Sequence, residues 1–303
     1  MNFAITILGS GSAVPTSRRN PTGQYIECNG RIILIDCGEG TQMQLRKLGM
    51  KFQKIQYILI SHLHGDHYFG LVGLLSTMHL LGRTQEIKVF GPVGLKQIIE
   101  VQLEAAGSRL SFDVNVTELE KGSFGELMSD EKISIHYFPL RHKIPTSGFK
   151  ILQKQKERKL LVEKAKRDGV KIAHYHRLKK GEDVVDDEGR TFLFEDYTIP
   201  SAPPSSYAFC SDTAYSEDVV EYIKEVDLLY HEATFTEEML DRAKITKHST
   251  AKHAGQIAKM ANVKRLIMGH LSARYDNGKQ HVMEAKPYFE NCSYVEDGDV
   301  YQL

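Results

Sequence analysis

Along most of this chain, short apolar or alternating blocks are separated by Gly, Asn and Pro, a pattern of strands joined by amphipathic helices. Phe3 to Leu8 predicts a first strand, and Gln24–Cys28 with Arg31–Asp36 predict a strand pair around the turn Asn29-Gly30. A helix is expected over Thr41–Leu48, stopped by Gly49, before the unbroken apolar block Ile55–Ile60, which reads as a buried strand. The first half continues with helix Leu71–Leu81, strand Ile87–Phe90, helix Val93–Ala106, strand Phe112–Leu119 and the alternating stretch Lys132–His142. The second half predicts strands at Ser206–Ser211, Asp227–Tyr230 and Lys264–Gly269, and a terminal strand over Ser293–Gln302. Its helices are expected at Glu217–Val226, Thr236–Ala243, from His248 through Ala261 with Ser249 or Thr250 as N-cap, and near Gln280–Phe289. Strands alternating with helices in this way indicate α/β architecture, with sheets covered by helices.

One segment breaks the pattern. From Lys150 to Lys180 about a dozen Lys and Arg face three acids, and apolar periodicity survives only in Glu157–Arg167. The acidic turn Glu182–Gly189 closes the segment, Arg190–Ile199 reads as a strand returning to the body, and Pro200–Pro204 as a connector. We therefore expect a single domain over residues 1–303 that carries an inserted basic arm over 150–190. The whole chain has 39 Lys and Arg against 39 Asp and Glu, so a polyanion must be held by local charge. Lys154, Lys156, Arg158, Lys159, Lys164, Lys166 and Arg167 are the candidate contacts. Arg18 and Arg19, in the loop after the Gly9-Ser10-Gly11 turn, are a second place for a nucleic-acid backbone to rest. That turn lacks the Lys-Ser/Thr of a P-loop. Cys28, Cys37, Cys210 and Cys292 form no C-x-x-C pair and read as reduced thiols of a cytoplasmic protein. The N-terminus runs straight into a strand and a Gly/Ser turn instead of a signal peptide, and no apolar run is long enough to cross a bilayer.

The candidate chemistry is concentrated in Ser61-His62-Leu63-His64-Gly65-Asp66-His67-Tyr68-Phe69-Gly70, directly after the Ile55–Ile60 block. Imidazole nitrogen and carboxylate oxygen suit a borderline cation such as zinc, and residues so close in sequence cannot easily close one tetrahedral shell alone. Two ions completed by distant residues are the better expectation. His142, Asp212 and His270 each follow a predicted strand, where the ligand sites of layered α/β sheets gather. His79 and His136 read as packed residues, and His231 receives no role.

His62-x-His64-x-Asp66-His67 followed by strand-capping His142, Asp212 and His270 resembles the metallo-β-lactamase superfamily. Ser211-Asp212-Thr213, His231-Glu232-Ala233-Thr234, His248-Ser249-Thr250, Gly269–Tyr275 and Arg19-Asn20 make the chain similar to one family within it, ribonuclease Z, the tRNA 3′-processing endonucleases. The resemblance implies a four-layer αβ/βα sandwich with two Zn²⁺ per subunit, Mn²⁺ or another divalent ion being an alternative occupant. It implies that His62, His64 and His142 hold one ion, that Asp66, His67 and His270 hold the other, and that Asp212 bridges them. Asp66 is also expected to contact the attacking water, and His248, oriented by Glu232, to protonate the leaving oxygen. The implied substrate is precursor tRNA, cut to leave a 3′-hydroxyl on the tRNA and a 5′-phosphate on the trailer. The implied assembly is a homodimer in which one subunit's arm serves the other's site. Gly169–His176 stands where many members have a Gly-Pro-rich turn in the arm. A competing expectation is another dinuclear-metal hydrolase of the superfamily acting on a small phosphodiester or ester, which has no use for a basic arm.

Overall fold

The apolar blocks of the first half form β1 (Phe3–Gly9), β2 (Gly23–Cys28), β3 (Arg31–Cys37), β4 (Tyr57–Leu59), β5 (Ile87–Pro92) and β6 (Val114–Leu119) of a seven-stranded sheet. Between them run α1 (Thr41–Lys47), the one-turn α2 (Gly65–Tyr68), α3 (Leu71–Leu80) and α4 (Leu95–Ala105). The computed structural model describes residues 3–303; Met1 and Asn2, part of the expected single domain over 1–303, lie outside the described residues. Next come β7 (Gly125–Ser129), β8 (Ile133–Leu140) and β9 (Thr146–Gln153), then a second compact unit over Lys154–Pro204. The body resumes with β10 (Ser206–Cys210), α5 (Val220–Ile223), β11 (Leu228–Glu232), α6 (Leu240–Thr246), α7 (Ala251–Met260), β12 (Leu266–Gly269), α8 (Lys279–Ala285), β13 (Cys292–Tyr294) and β14 (Val300–Gln302).

The strand order is β14-β1-β2-β3-β4-β5-β6 in one sheet and β13-β12-β11-β10-β9-β8-β7 in the other. Both sheets combine an antiparallel part with a parallel part, β3 to β6 in the first and β10 to β13 in the second. The parallel strands need crossover connections, and the helices supply them. Ile33 and Ile35 of β3 face the second sheet, where they join Ile135, Phe149, Ile151, Phe209 and Tyr230, while Leu34 faces Leu71, Leu74, Leu75 and Met78 of α3. Both faces of β3 are thus covered, which accounts for an unbroken apolar run where alternation would mark a half-solvated strand. On the far face of the second sheet, Ala208 and Leu229 pack against Ala254, Ile257 and Ala258 of α7. The result is helices, sheet, sheet, helices: the four-layer αβ/βα sandwich.

Three expectations are corrected by the structure. The terminal strand is two strands, β13 beside β12 in the second sheet and β14 beside β1 in the first, because the turn at Asp297-Gly298 carries the chain across. Its Asp297 side chain accepts hydrogen bonds from Ser10 N and Oγ and from Asn20 N and Nδ2, at 2.7–2.9 Å. Residues 150–153, assigned above to the arm, belong to β9, which pairs with β8 and β10. The second unit runs through Pro204 and has a small core of its own, Ala165, Val170, Leu178, Val184, Phe192 and Tyr197. Arg190–Ile199 does not return to the body as a strand; it is divided into two two-residue strands (Thr191–Phe192 and Thr198–Ile199) and a helical turn (Phe194–Tyr197), all within the second unit.

Candidate metal centre

The parallel strands end at one rim, and backbone hydrogen bonds stitch the two sheets together there: Ser147 N donates to Ser61 O at 3.0 Å and Leu271 N to Ser10 O at 3.1 Å. His62 follows β4, His64 caps α2, and Asp66 and His67 lie within it, while His142 follows β8, Asp212 follows β10 and His270 follows β12. All seven side chains converge. His62 Nε2 stands 3.0 Å from His64 Nδ1, which is 3.3 Å from His142 Nε2, and Asp212 Oδ2 lies 3.4 Å from His62 Nε2 and 3.7 Å from His142 Nε2. A second set surrounds the other oxygen of the same carboxylate. Asp212 Oδ1 is 3.5 Å from His67 Nε2 and 3.2 Å from His270 Nε2, and Asp66 Oδ2 is 3.5 and 3.4 Å from those two nitrogens.

These spacings test whether a cation fits. Bonds of about 2.0–2.1 Å in a tetrahedral shell put ligand atoms about 3.3–3.4 Å apart, and both sets lie close to that edge length. The second nitrogen of most of these rings is already occupied. His67 Nδ1 donates to Asp36 Oδ2 at 2.7 Å, His142 Nδ1 to Lys247 O at 2.8 Å, His270 Nδ1 to Thr234 Oγ1 at 3.0 Å and His62 Nδ1 to Ser61 Oγ at 3.0 Å. Those bonds assign the proton to Nδ1 and turn the Nε2 lone pairs toward one another, an arrangement that repels itself unless a cation lies between. Asp212 Oδ1, fully buried, has no hydrogen-bond partner among the described residues. Burial would raise the Asp212 carboxyl, but His270, His67 and His62 hold it well below the ordinary carboxylate range. Burial would likewise lower His67, yet Asp212, Asp36 and Asp66 hold it far above an ordinary imidazole. The same field that favours a proton there favours a metal ion, which binds in its place. The residues fit two divalent cations sharing Asp212.

Two residues that sequence reasoning missed support this centre. Asp36 ends β3 and accepts bonds from Ser61 N and Oγ, at 2.7 and 2.9 Å, as well as from His67. Its signal was present, an acid closing an apolar strand in the same slot as Asp212. Thr234 binds His270 and also donates to Glu232 Oε2 at 2.8 Å; nothing in a lone Thr announces that.

Glu232, fully buried at the end of β11, accepts five hydrogen bonds, from Thr213 N, Ser249 N, Thr234 N, Thr234 Oγ1 and His248 Nδ1, at 2.8–3.0 Å. Those donors keep it ionised despite burial. Burial would depress His248, but the Glu232 carboxylate outweighs it and pushes the imidazole up to about 9. His248 Nε2 reaches within 4.0 Å of Asp212 Oδ2, at the cleft beside the centre. Thr250, the N-cap of α7, is what places His248 just before that helix. His231 is buried against Glu232 O at 2.6 Å, and His79 and His136 bond Ser111 and Ser134 away from the centre.

The basic residues are placed differently. Arg18 is exposed and pairs with Asp276 at 2.5 Å. Arg19, read above as a backbone contact for nucleic acid, is only 7% exposed, and its guanidinium donates to Tyr275 O at 2.9 Å and Asp276 O at 3.3 Å. It holds the loop after β12 and is buried there rather than presented at the surface. In the second unit Arg158 lies over the Phe194 ring, Lys164 over the Tyr197 ring, and Lys166 and Arg167 pair with Glu163 and Asp168. Lys154, Lys156 and Lys159 stand at its start. Over 154–204 twelve Lys and Arg meet ten Asp and Glu, so the positive excess belongs to the stretch up to Lys180 and not to the unit as a whole.

A four-layer sandwich with this His/Asp cluster at the rim of its parallel strands is a metallo-β-lactamase fold that binds divalent metal. Human tRNase Z, short form, is similar at a TM-score of 0.74 and 29% identity, with 99% of this chain and 98% of the other covered, and the metallo-β-lactamase fold protein YhfI of Bacillus subtilis shares the fold at a TM-score of 0.69 and 17% identity, with 99% of each chain covered. Residues 3–162 match the family model described as anti-Pycsar protein Apyc1. Ribonuclease Z of Bacteroides fragilis strain YCH46 is 41% identical over 289 residues, 95% of each chain, and that of Cytophaga hutchinsonii is 41% identical over 304 residues, 100% of this chain and 97% of its own. This chain belongs to the ribonuclease Z family.

Proposed function

We propose that the protein is a zinc-dependent endoribonuclease that removes the 3′ trailer from precursor tRNA, leaving a 3′-hydroxyl on the tRNA and a 5′-phosphate on the trailer. Membership of the ribonuclease Z family makes it an endoribonuclease of tRNA 3′ processing; the metal, the residue roles, a homodimeric assembly and a cytoplasmic location are our reading. No described helix is long and apolar enough to cross a membrane. The observation that carries the proposal is the pair of ligand sets joined through Asp212, with a proton-bearing His248 at their edge.

In this reading His62, His64, His142 and Asp212 hold one zinc ion, and Asp66, His67, His270 and Asp212 hold the other. When bound, two such cations supply an acidified water and offset the charge on the non-bridging phosphate oxygens. The chain's own residues do the rest. Ala13 N donates to Asp66 Oδ2 at 2.7 Å, which fixes that carboxylate while its other oxygen stays available to orient water. Glu232 keeps His248 protonated, with Nδ1 committed and Nε2–H directed at the cleft, and this proton goes to the departing 3′-oxygen of the ribose. Lys154, Lys156, Arg158, Lys159, Lys164, Lys166 and Arg167, with exposed Arg18, are assigned to phosphates of the tRNA body. The test is cleavage of a precursor tRNA transcript by purified protein, with the ends mapped. A tRNA 3′-hydroxyl and trailer 5′-phosphate are expected, and Asp66→Ala should bind the transcript without cutting it. Cleavage of a small phosphodiester with an intact precursor left uncut favours the competing small-substrate hydrolase.

A further inference from the structure

The cleft over the metal centre encloses about 490 Å³ and is lined by His64, Asp66, Asp212, His248 and His270 together with one large exposed aromatic side chain, Phe69. Phe69 is 66% exposed, as is Phe124, and what sets Phe69 apart is that it lines this cleft beside the ligand positions. The backbone that carries the ring is anchored from two sides. It closes α2, its N–H donating to Gly65 O at 2.9 Å, and the following residue's N–H donates to Cys37 O at 2.9 Å. Below the ring lies Gly65, between the ligand positions His64 and Asp66; a Cβ there would fall 2.2 Å from Phe69 Cε2, so only glycine lets the ring lie over this turn. Tyr68 meets it edge-on, with centroids 5.0 Å apart. The outcome is an apolar face on an anchored turn, in a cleft lined also by charged and polar groups of the centre.

We propose that Phe69 is the stacking platform for a nucleobase flanking the scissile phosphate. This rests on the endoribonuclease reading above. Single-stranded RNA offers unpaired bases with π-faces, and aromatic side chains hold them in a sequence-tolerant way, which suits a cut at a point where the flanking bases differ between substrates. Stacking there sets the register of the chain over the ligand sets.

The test is a double-mutant cycle on kcat/KM using the full-length protein with its metal. Wild type and Phe69→Ala are compared on an intact precursor tRNA and on precursors with an abasic nucleotide immediately 5′ or 3′ of the cleavage site. Phe69→Ala should slow the intact precursor by about 10- to 100-fold but change one of the abasic precursors by less than about 3-fold, since the partner base is already gone. Phe69→Leu, which keeps apolar volume without the ring, should resemble Phe69→Ala, and Phe69→Trp should resemble wild type. Equal losses on all three precursors, with or without a change in oligomeric mass, or full activity in Phe69→Leu, overturn the proposal. If wild type cuts none of them, it is the precursor-tRNA reading that has failed.

Discussion

His248 shows how a single residue's chemistry is set by its neighbours. Its imidazole is raised to about 9, above the ordinary value near 6.5, because Glu232 lies 2.9 Å away. A raised histidine contributes stability that is complete below the unfolded value and is lost as pH climbs through the folded one. A reaction that needs its proton follows the same sign: the rate should hold through neutral pH and fall as pH passes about 9. Glu232→Gln keeps the shape but removes the charge, so the alkaline limb should move down by more than one pH unit and kcat should drop about 10²- to 10⁴-fold. A pH–rate profile on precursor tRNA checks both. An unchanged limb in Glu232→Gln would separate the pair and leave the proton donor elsewhere. The roles of His62 to His67 were legible in sequence because four ligands, three imidazoles and a carboxylate, stand within six positions. Asp36 left only its place at the end of an apolar strand and Thr234 less than that, since their work lies in bonds to His67 and His270 that only folding creates.

At the scale of elements, the strand ends carry the information. His142, Asp212 and His270 were readable as neighbours because each closes an apolar block, and parallel strands of a sandwich end together. What stayed hidden depended on pairing. β9 has both hydrophobic and basic residues, and its Lys150 looked like the start of the basic segment until pairing with β8 and β10 placed it in the body. The single terminal strand became two because Asp297 anchors the loop that follows β1. That anchor gives a prediction. Asp297→Ala removes the acceptor of four short hydrogen bonds and should cost on the order of 3 kcal/mol in denaturant unfolding, and it should also loosen the Ala13 contact to Asp66 and weaken metal retention on dialysis. A close approach gives another. A Cβ on Gly38 would lie 2.3 Å from Asp66 O, so Gly38→Ala should displace α2 and yield protein with less bound metal than wild type.

For the whole molecule, the chain divides its labour between a body that carries the ligand sets and a second unit that interrupts it between β9 and β10. Gln153 N donates to Ser205 O at 2.9 Å, so the body's two chain ends at the interruption are already adjacent and a two-residue turn can replace residues 154–204. The shortened protein should fold with its metal complement intact. Its KM for precursor tRNA should rise at least about 10-fold while kcat changes less, and the salt dependence of tRNA binding should flatten with the loss of the Lys and Arg contacts. A KM equal to wild type would remove the unit from substrate recognition.

Asp212, set between two ligand sets, is the residue on which a two-cation centre stands or falls. The direct measurement is metal stoichiometry, by elemental mass spectrometry, on purified wild type and Asp212→Ala. Two divalent ions per chain are expected in wild type, with the number falling below two in the variant and cleavage of precursor tRNA lost with it. One ion or none in an active wild type, or two ions retained by Asp212→Ala, would contradict it.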